Sequence, residues 1–374
     1  MRFIHTADWQ VGMKASHVGT AAARVREARL SSAVRVGDIA RERHADFILI
    51  AGDMFDDNGV DRILIQKIAD ILAGYHLPVY IIPGNHDPFV PGSVWEHPAW
   101  RTSDSIHVLK EKTAVDMPGG KLFPCPALEK QSTGDPTLWI PCEDGNIRIG
   151  LAHGTVEGVR QDEPDYPIPR NAAELRGLDY LALGHWHSYA SYPGEDGIVR
   201  MTYSGTHEQT KFGERYSGNV LFIEISARGS PPVITPVHIG SLRWIQKSED
   251  IQSPGDVKKV LDEIEQLNGA DTSLLSLTLR GLLFAQDHEK VTRIQEIISS
   301  RFLYADLDTL KLIPAPGDSG WIDIIPQGPV HDMAVRLKEL ADPAYMGTRP
   351  EGATVEIASR ALLDLYGIIM ESKR

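Results

Sequence analysis

The chain has 374 residues, 42% of them hydrophobic, which is too long and too apolar for a disordered chain or a small cross-linked scaffold and enough for roughly two to three domains. Its 38 Lys and Arg are outnumbered by 51 Asp and Glu, and the net charge of -13 excludes a surface coated in cations for nucleic acid while leaving room for a local basic track or a metal-bridged contact to phosphate. Two cysteines, Cys125 and Cys142, are too few for a disulfide framework and form no zinc-ligand cluster, which points to a reducing compartment.

In chain order, RFIH at 2–5 is a short strand candidate, and His5 and Asp8 deny the opening MRFIHTADW the apolar core of a signal peptide. No apolar run reaches about 18 residues, so a soluble, cytoplasmic protein is expected. Leu30, Ala33, Val36 and Ala40 recur at helical spacing and predict an amphipathic helix within 21–43 that covers a sheet. DFILIAGD at 46–53 is a buried-strand pattern, and Leu64, Ile68 and Leu72 predict a second helix after it. LPVYIIPGNHD at 77–87, IRIGLAH at 147–153, DYLALGHWH at 179–187 and VRMTYSGTH at 199–207 each repeat an apolar strand that runs into polar residues. NVLFIEI at 219–225 reads as the last strand of this α/β region.

ARGSPPVITP at 227–236 shifts composition to Gly, Ser and Pro and marks a boundary. Beyond it, VKKVLDEIEQL at 257–267 and VTRIQEIISSRF at 291–302 predict helices, and SLLSLTLRG at 273–281 and SGWIDIIPQG at 319–328 predict strands. Two further helices are expected at 329–341 and 350–371. The expected organisation is a first domain at 1–226, a smaller α+β domain at 227–335 and a C-terminal helical segment at 336–374. The stripe Leu362, Leu363, Leu365, Ile368 and Ile369 is read as packing against its own domain rather than docking a partner.

Loops beyond the strand ends of a layered α/β fold converge, so residues far apart in sequence share one site. Here those ends supply Asp8, Gln10, Asp53, Asn85, His86, Asp87, His153, His185 and His187. Oxygen and imidazole donors without thiolate suit Mn, Fe, Co or Zn, and Asp53 has two oxygens with which to bridge two ions about 3.5 to 4 Å apart. A binuclear hydrolytic centre follows, in which the ions make hydroxide available at neutral pH and neutralise charge on the phosphoryl group it attacks. His86, beside Asn85 without having to be a ligand, is assigned to the departing oxygen, and Asp56 to holding the His86 imidazole in a useful tautomer. Any one such Asp or His is more often a cap or a satisfied hydrogen-bond partner. The weight lies in the ordered set D-x-Q, G-D-x-x-D, G-N-H-D, H-G and G-H-x-H, each after an apolar strand.

These segments, DWQ at 8–10, AGDMFD at 51–56, PGNHDPF at 83–89, AHGT at 152–155 and GHWHS at 184–188, resemble the five signatures of calcineurin-like metallophosphoesterases. Within that superfamily, IHTADWQVG, the Arg-rich helix after it and YSGTHEQTKFGE at 203–214 resemble the SbcD-type nuclease subunit of the SbcCD double-strand-break repair complex. The resemblance covers most of 1–225, and the remainder resembles the capping domain of those nucleases only in position and layout. It implies a layered sandwich of mixed β-sheets flanked by helices, acting as a DNA exonuclease or endonuclease. It further implies that Asp8, Gln10, Asp53 and His187 hold one ion and Asp53, Asn85, His153 and His185 the other, with manganese preferred and Mg, Fe or Zn possible. His86 becomes the catalytic histidine, and Lys211, Phe212 and Arg215 position substrate. The implied partners are DNA, an SbcC-like coiled-coil ABC-type ATPase and a second copy of the chain.

One residue departs from the family pattern: the first signature normally reads D-x-H, and here Gln10 stands at its third position. An amide oxygen binds these ions more weakly than imidazole, so a looser first metal position is expected. Arg24, Arg26, Arg29, Arg35, Arg41 and Arg43 crowd one helix as candidate phosphate contacts, interrupted by Glu27, Asp38 and Glu42. Trp95 and Trp100 are expected to cover the core rather than stack on a base. Two other functions compete: a phosphodiesterase or phosphatase for a small nucleotide-like substrate, in keeping with the net charge of -13, and a degenerate-site subunit that only binds DNA ends or the ATPase.

Overall fold

The computed structural model describes residues 1–142, 145–158, 165–315 and 320–372. The chain divides into two compact units, Met1–Arg243 and Trp244–Arg374.

The first unit holds two six-stranded sheets. In one, β1 (Arg2–Thr6), β2 (Phe47–Ala51), β3 (Val79–Ile82) and β4 (Ile106–Val108) run parallel and side by side. The other contains β5 (Val115–Met117), β6 (Gly120–Cys125), β7 (Ile147–His153), β8 (Tyr180–Gly184), β9 (Ala190–Pro193) and β10 (Val199–Tyr203). Within it β6, β7, β8 and β10 are parallel neighbours, with β5 and β9 antiparallel at the two edges. Antiparallel β11 (Asn219–Glu224) and β12 (Val233–His238) extend the first sheet beyond β1.

Alternation along each strand sorts the core into layers. In β2, Phe47, Leu49 and Ala51 face the interior between the sheets, where they meet Ile149, Leu151, Tyr180 and Ala182. Ile48 and Ile50 face the other way, onto α1 (Ala22–Glu42) and α2 (Arg62–Ala73), which cover that side with Ala33, Val36, Ala40, Ile65, Ile68 and Leu72. Asp61 caps α2 by accepting from the Ile63 amide at 2.8 Å. The far face of the second sheet packs Leu181, Leu183 and Tyr203 against α3 (Ala172–Leu175) and its flanks. Each buried Ile or Leu contributes about 1.5–3 kcal/mol, so these rows anchor the strands firmly enough to tolerate strained backbone at their ends.

The second unit is α+β: β13 (Arg243–Ile251), β14 (Ser273–Leu283) and β15 (Tyr304–Pro314) form a three-stranded sheet, with β14 and β15 parallel. Val257, Val260 and Ile264 of α4 (Asp256–Gln266) and Ile294, Ile297 and Ile298 of α5 (His288–Arg301) pack with Leu275, Leu277 and Leu279. The chain continues through α6 (Pro329–Ala341) and α7 (Val355–Ser372), where Leu362, Leu365 and Ile369 pack with Trp321 and Tyr366 while Ile368 faces outward. Among the described residues no helix is long and apolar enough to cross a membrane.

Several elements differ from the sequence expectations. β11 is not the last strand of its sheet, because β12 pairs with it throughout; Pro236 is tolerated there because β12 is an edge. SGWIDIIPQG forms no strand over its described part, and Ser319 lies outside the described residues. Gly320–Ile322 is instead a single 3-10 turn that buries Trp321 and Ile322, and Pro326 and Gly328 prevent a ladder. The third strand of that sheet is β15, whose Ala305 and Leu307 alternate with Asp306 and Asp308. The helix expected from 350 starts at Val355, since Pro350 and Gly352 fall in a turn.

Candidate metal centre

The C-terminal ends of β1, β2, β7 and β8 meet where the two sheets face each other. The loops after β1 and β2 run together, with the Asp8 amide donating to the Gly52 carbonyl at 3.1 Å and the Gln10 amide to that of Asp53 at 3.0 Å. The second sheet joins them through the His185 amide, which donates to both Asp8 carboxylate oxygens at 2.9 and 3.1 Å. His153 Nδ1 likewise donates to the Ala51 carbonyl at 2.8 Å.

This convergence bends the backbone. Asp8, Gln10, Asp53 and His185 all have positive φ, at 54°, 46°, 50° and 107°. Such conformations cost of order 1–3 kcal/mol each and persist where surrounding structure enforces them. Glycine is required beside them: a Cβ on Gly184 would overlap the Ala51 carbonyl, and one on Gly84 the Asp53 carboxylate.

Asp8, Asp53 and His153, all buried, bring one potential ligand atom apiece within 4.8 Å of each other. Burial pushes Asp8 up to about 6 against the pull of His153 and His187. Burial acts the same way on Asp53, but the His153 imidazole outweighs it and holds that carboxyl below its usual range. His153 is pulled down by burial and, more strongly, raised by Asp53 and Asp8, to about 9. Its Nδ1 proton is committed to the Ala51 carbonyl, so Nε2 faces Asn85 Oδ1 at 2.8 Å and Asp53 Oδ1 at 3.4 Å, two acceptors around one nitrogen. A positive charge at that nitrogen, a proton or a metal ion, suits the oxygens around it. The residues therefore fit a divalent cation. His185 Nδ1 lies 3.3 Å from the same Asn85 oxygen, and the His153 and His185 rings meet edge to face at 5.3 Å.

Gln10 is buried beside this group with its Nε2 donating to Asp53 Oδ2 at 2.9 Å, so its amide nitrogen faces the carboxylate. His86 is exposed; its amide donates to Asp53 Oδ1 at 2.9 Å and its Nδ1 donates to the main-chain carbonyl of Asp56 at 3.0 Å. The expectation for Asp56 is thus corrected in one respect, because its backbone and not its carboxylate orients the imidazole. Burial raises the Asp56 carboxyl, with His86 opposing.

Of the candidates, Asp53, His86, His185, His187, Lys211 and Phe212 line a 470 Å³ cleft together with Trp186 and Glu214, whereas Asp8, Gln10, Asn85 and His153 do not. Arg215 does not line it; that residue is exposed, with its amide donating to Ser188 Oγ at 3.2 Å. Arg29 is buried too, and braces the first loop from beneath by donating to the Trp9 and Glu208 carbonyls at 2.9 and 2.8 Å, so it cannot serve as a surface phosphate contact. Arg24 and Arg41 are spent on Glu27 and Asp38 of their own helix. Trp95 and Trp100 are buried against Phe55.

Two carboxylates take supporting roles that the sequence did not assign. Asp87 is buried and accepts from the Phe55 and Gly84 amides at 2.9 and 2.7 Å, stapling the two loops that carry Asp53 and Asn85. Glu214 accepts from His187 Nδ1 at 2.8 Å. Asp87 closes the G-N-H-D set and Glu214 closes YSGTHEQTKFGE, but neither pattern gives its carboxylate a role.

Among relatives, an uncharacterized metallophosphoesterase, YhaO, of Bacillus subtilis (strain 168) is 28% identical over 205 residues, covering 50% of this chain and 48% of its own. A protein of Fibrobacter succinogenes (strain ATCC 19169 / S85) described as a probable cyclic nucleotide phosphodiesterase is 27% identical over 169 residues, 42% of this chain and 63% of its own. The chain thus spans less than two thirds of the length of either relative. The crystal structure of TT1561 of Thermus thermophilus aligns with a TM-score of 0.42 and 12% identity, over 64% of this chain and 98% of that one. The calcineurin-like phosphoesterase family model matches residues 1–189, the half of the chain that supplies every strand end of the metal centre, and the chain belongs to that family.

Proposed function

We propose that the chain is a metal-dependent phosphodiesterase acting on DNA, the nuclease component of a cytoplasmic double-strand-break repair assembly. The observation that carries the chemistry is that Asp8, Asp53 and His153 bring ligand atoms within 4.8 Å of one another, and that Asp53 of this set lines a cleft with the exposed His86. Asp8, Gln10, Asp53 and His187 would hold one divalent ion and Asp53, Asn85, His153 and His185 the other, with manganese as the proposed metal. Such ions supply Lewis-acid charge and a nucleophile from water at neutral pH. Because the Asp56 carbonyl can only accept, His86 keeps a proton on Nδ1, so the form that acts as an acid is the imidazolium, which gives its Nε2 proton to the leaving oxygen and returns to the neutral Nδ1–H ring. Lys211 opposes the charge of the diester, and Trp186 and Phe212 give the cleft aromatic walls on which a base can stack.

Support for DNA, for a homodimer and for an SbcC-like ATPase partner comes from the resemblance of IHTADWQVG and YSGTHEQTKFGE to SbcD-type nucleases. A second reading, a small nucleotide diester as substrate, draws support from the description of the Fibrobacter relative and from a cleft volume of 470 Å³, within the size range of small-molecule sites. The test is hydrolysis of labelled single- and double-stranded DNA beside bis-p-nitrophenyl phosphate, with Mn, Mg, Zn or chelator, for wild type and His86→Ala. Manganese-dependent DNA cleavage that disappears in His86→Ala is the expected result. Cleavage of the small ester alone moves the assignment to the second reading, and no cleavage of either by metal-loaded protein overturns both.

A further inference from the structure

Glu214 sits in a surface loop, yet its side chain is only 4% exposed. Its carboxylate is filled by three donors: His187 Nδ1 at 2.8 Å, the Thr210 amide at 2.8 Å and the Thr210 hydroxyl. Gln209 Nε2 closes the same loop by donating to the Lys211 and Glu214 carbonyls at 3.0 and 3.1 Å. Lys211 and Phe212, which line the cleft, ride between Thr210 and Glu214. One carboxylate therefore holds both an imidazole and the loop that carries the cleft wall. Since it can only accept, the His187 proton stays on Nδ1 and the Nε2 lone pair is left for a cation.

We infer that Glu214 is a positioning residue that couples the 210–214 substrate loop to the metal position of His187. The inference rests on the metal-dependent reading above and extends it to a residue outside the expected ligand set. Removing the carboxylate frees the imidazole to adopt either tautomer and releases the loop. Removing only the Thr210 hydroxyl, which donates to Glu214 and lies 3.4 Å from His187 Nδ1, disturbs the loop and leaves Glu214 as the closer acceptor for the imidazole at 2.8 Å.

The test is calorimetric manganese titration of the full chain as wild type, Glu214→Ala, Glu214→Gln and Thr210→Val, with KM for bis-p-nitrophenyl phosphate measured at saturating manganese. Glu214→Ala should weaken one of two manganese ions by about 10- to 100-fold, the usual effect of losing the partner of a ligating histidine. Glu214→Gln, whose amide oxygen still accepts the Nδ1 proton, should recover most of that loss, and Thr210→Val should raise KM while binding manganese as wild type does. Wild-type manganese affinity in Glu214→Ala, or equal losses in the Ala and Gln variants, overturns the assignment. Should Glu214→Ala fail to fold, the ring nitrogen shifts of His187 in the metal-free wild type decide: protonation at Nδ1 supports the assignment and protonation at Nε2 alone overturns it. Wild type that binds manganese as expected but cleaves no diester refutes the proposed reaction and leaves the manganese and tautomer results to stand for Glu214.

Discussion

Histidine in place of Gln10 should tighten the metal position proposed for Asp8, Asp53 and His187. Gln10 now directs its Nε2 to Asp53 Oδ2 at 2.9 Å in a buried setting. A hydrogen bond to a charged acceptor contributes about 1.5–3 kcal/mol, and an ion drawing on that oxygen must displace or rotate the amide. Even the lower figure corresponds to about tenfold in Kd. Imidazole removes this competition and adds a stronger ligand for the Mn-to-Zn series. Gln10→His should therefore bind one ion at least about tenfold more tightly and leave the other unchanged. Equilibrium dialysis against graded free manganese, with bound metal counted per chain, measures both midpoints. Superimposed wild-type and variant curves would refute the argument, as would a variant that loses an ion.

The same dialysis should find both ions retained by His86→Ala while turnover falls by about 100-fold or more, since His86 is assigned to proton transfer and not to ligation. Loss of metal in that variant would return His86 to the ligand set. Asp87→Ala strips the acceptor from two buried amides, those of Phe55 and Gly84, and should lower the urea-unfolding free energy by about 2–4 kcal/mol; a change below about 0.5 kcal/mol would contradict the staple. His5 lies buried between the sheets, where burial drives its imidazole down to about 3 despite the Leu183 carbonyl. Between its ordinary value of 6.5 and that figure the unfolded chain takes a proton that the folded chain refuses, so stability falls as pH falls through this window. From pH 7 to 5 the wild type should lose about 2 kcal/mol more than His5→Gln, and parallel urea midpoints for the two proteins would exclude His5 as the source.

The apolar rows were readable because period-2 burial on both faces leaves a continuous signature, as in FILIA of β2 and IRIGLAH of β7. Ligand candidates were readable for a related reason: parallel strands end on one side, so a polar residue just past each run is a candidate for the same place. What stays hidden depends on which side of an element is covered. Spacing assigned Arg29 to a helix but not to its buried face, where the loop carbonyls of Trp9 and Glu208 await it. Glu214 lies in YSGTHEQTKFGE, where nothing in the pattern pairs it with His187, and Asp56 acts through a carbonyl that every residue possesses. β15 is weakly marked because its alternation with Asp306 and Asp308 dilutes its apolar content, whereas IDII of 322–325 is richer in apolar residues and forms a turn.

Asp8 and Asp53 follow strands of one sheet, His153 ends and His185 follows strands of the other, and the apolar layer of Phe47, Leu49, Ile149 and Leu151 lies between those sheets. An ion gripped from both sides acts as a fastener across that seam. By linkage, free metal at 100 times its Kd stabilises the fold by about 2.7 kcal/mol for each ion. The exchange runs both ways: whatever unfolds the seam releases the ions without touching a ligand. The apolar layer is in this sense part of the metal centre, and the melting temperature of the protein becomes a gauge of the metal around it.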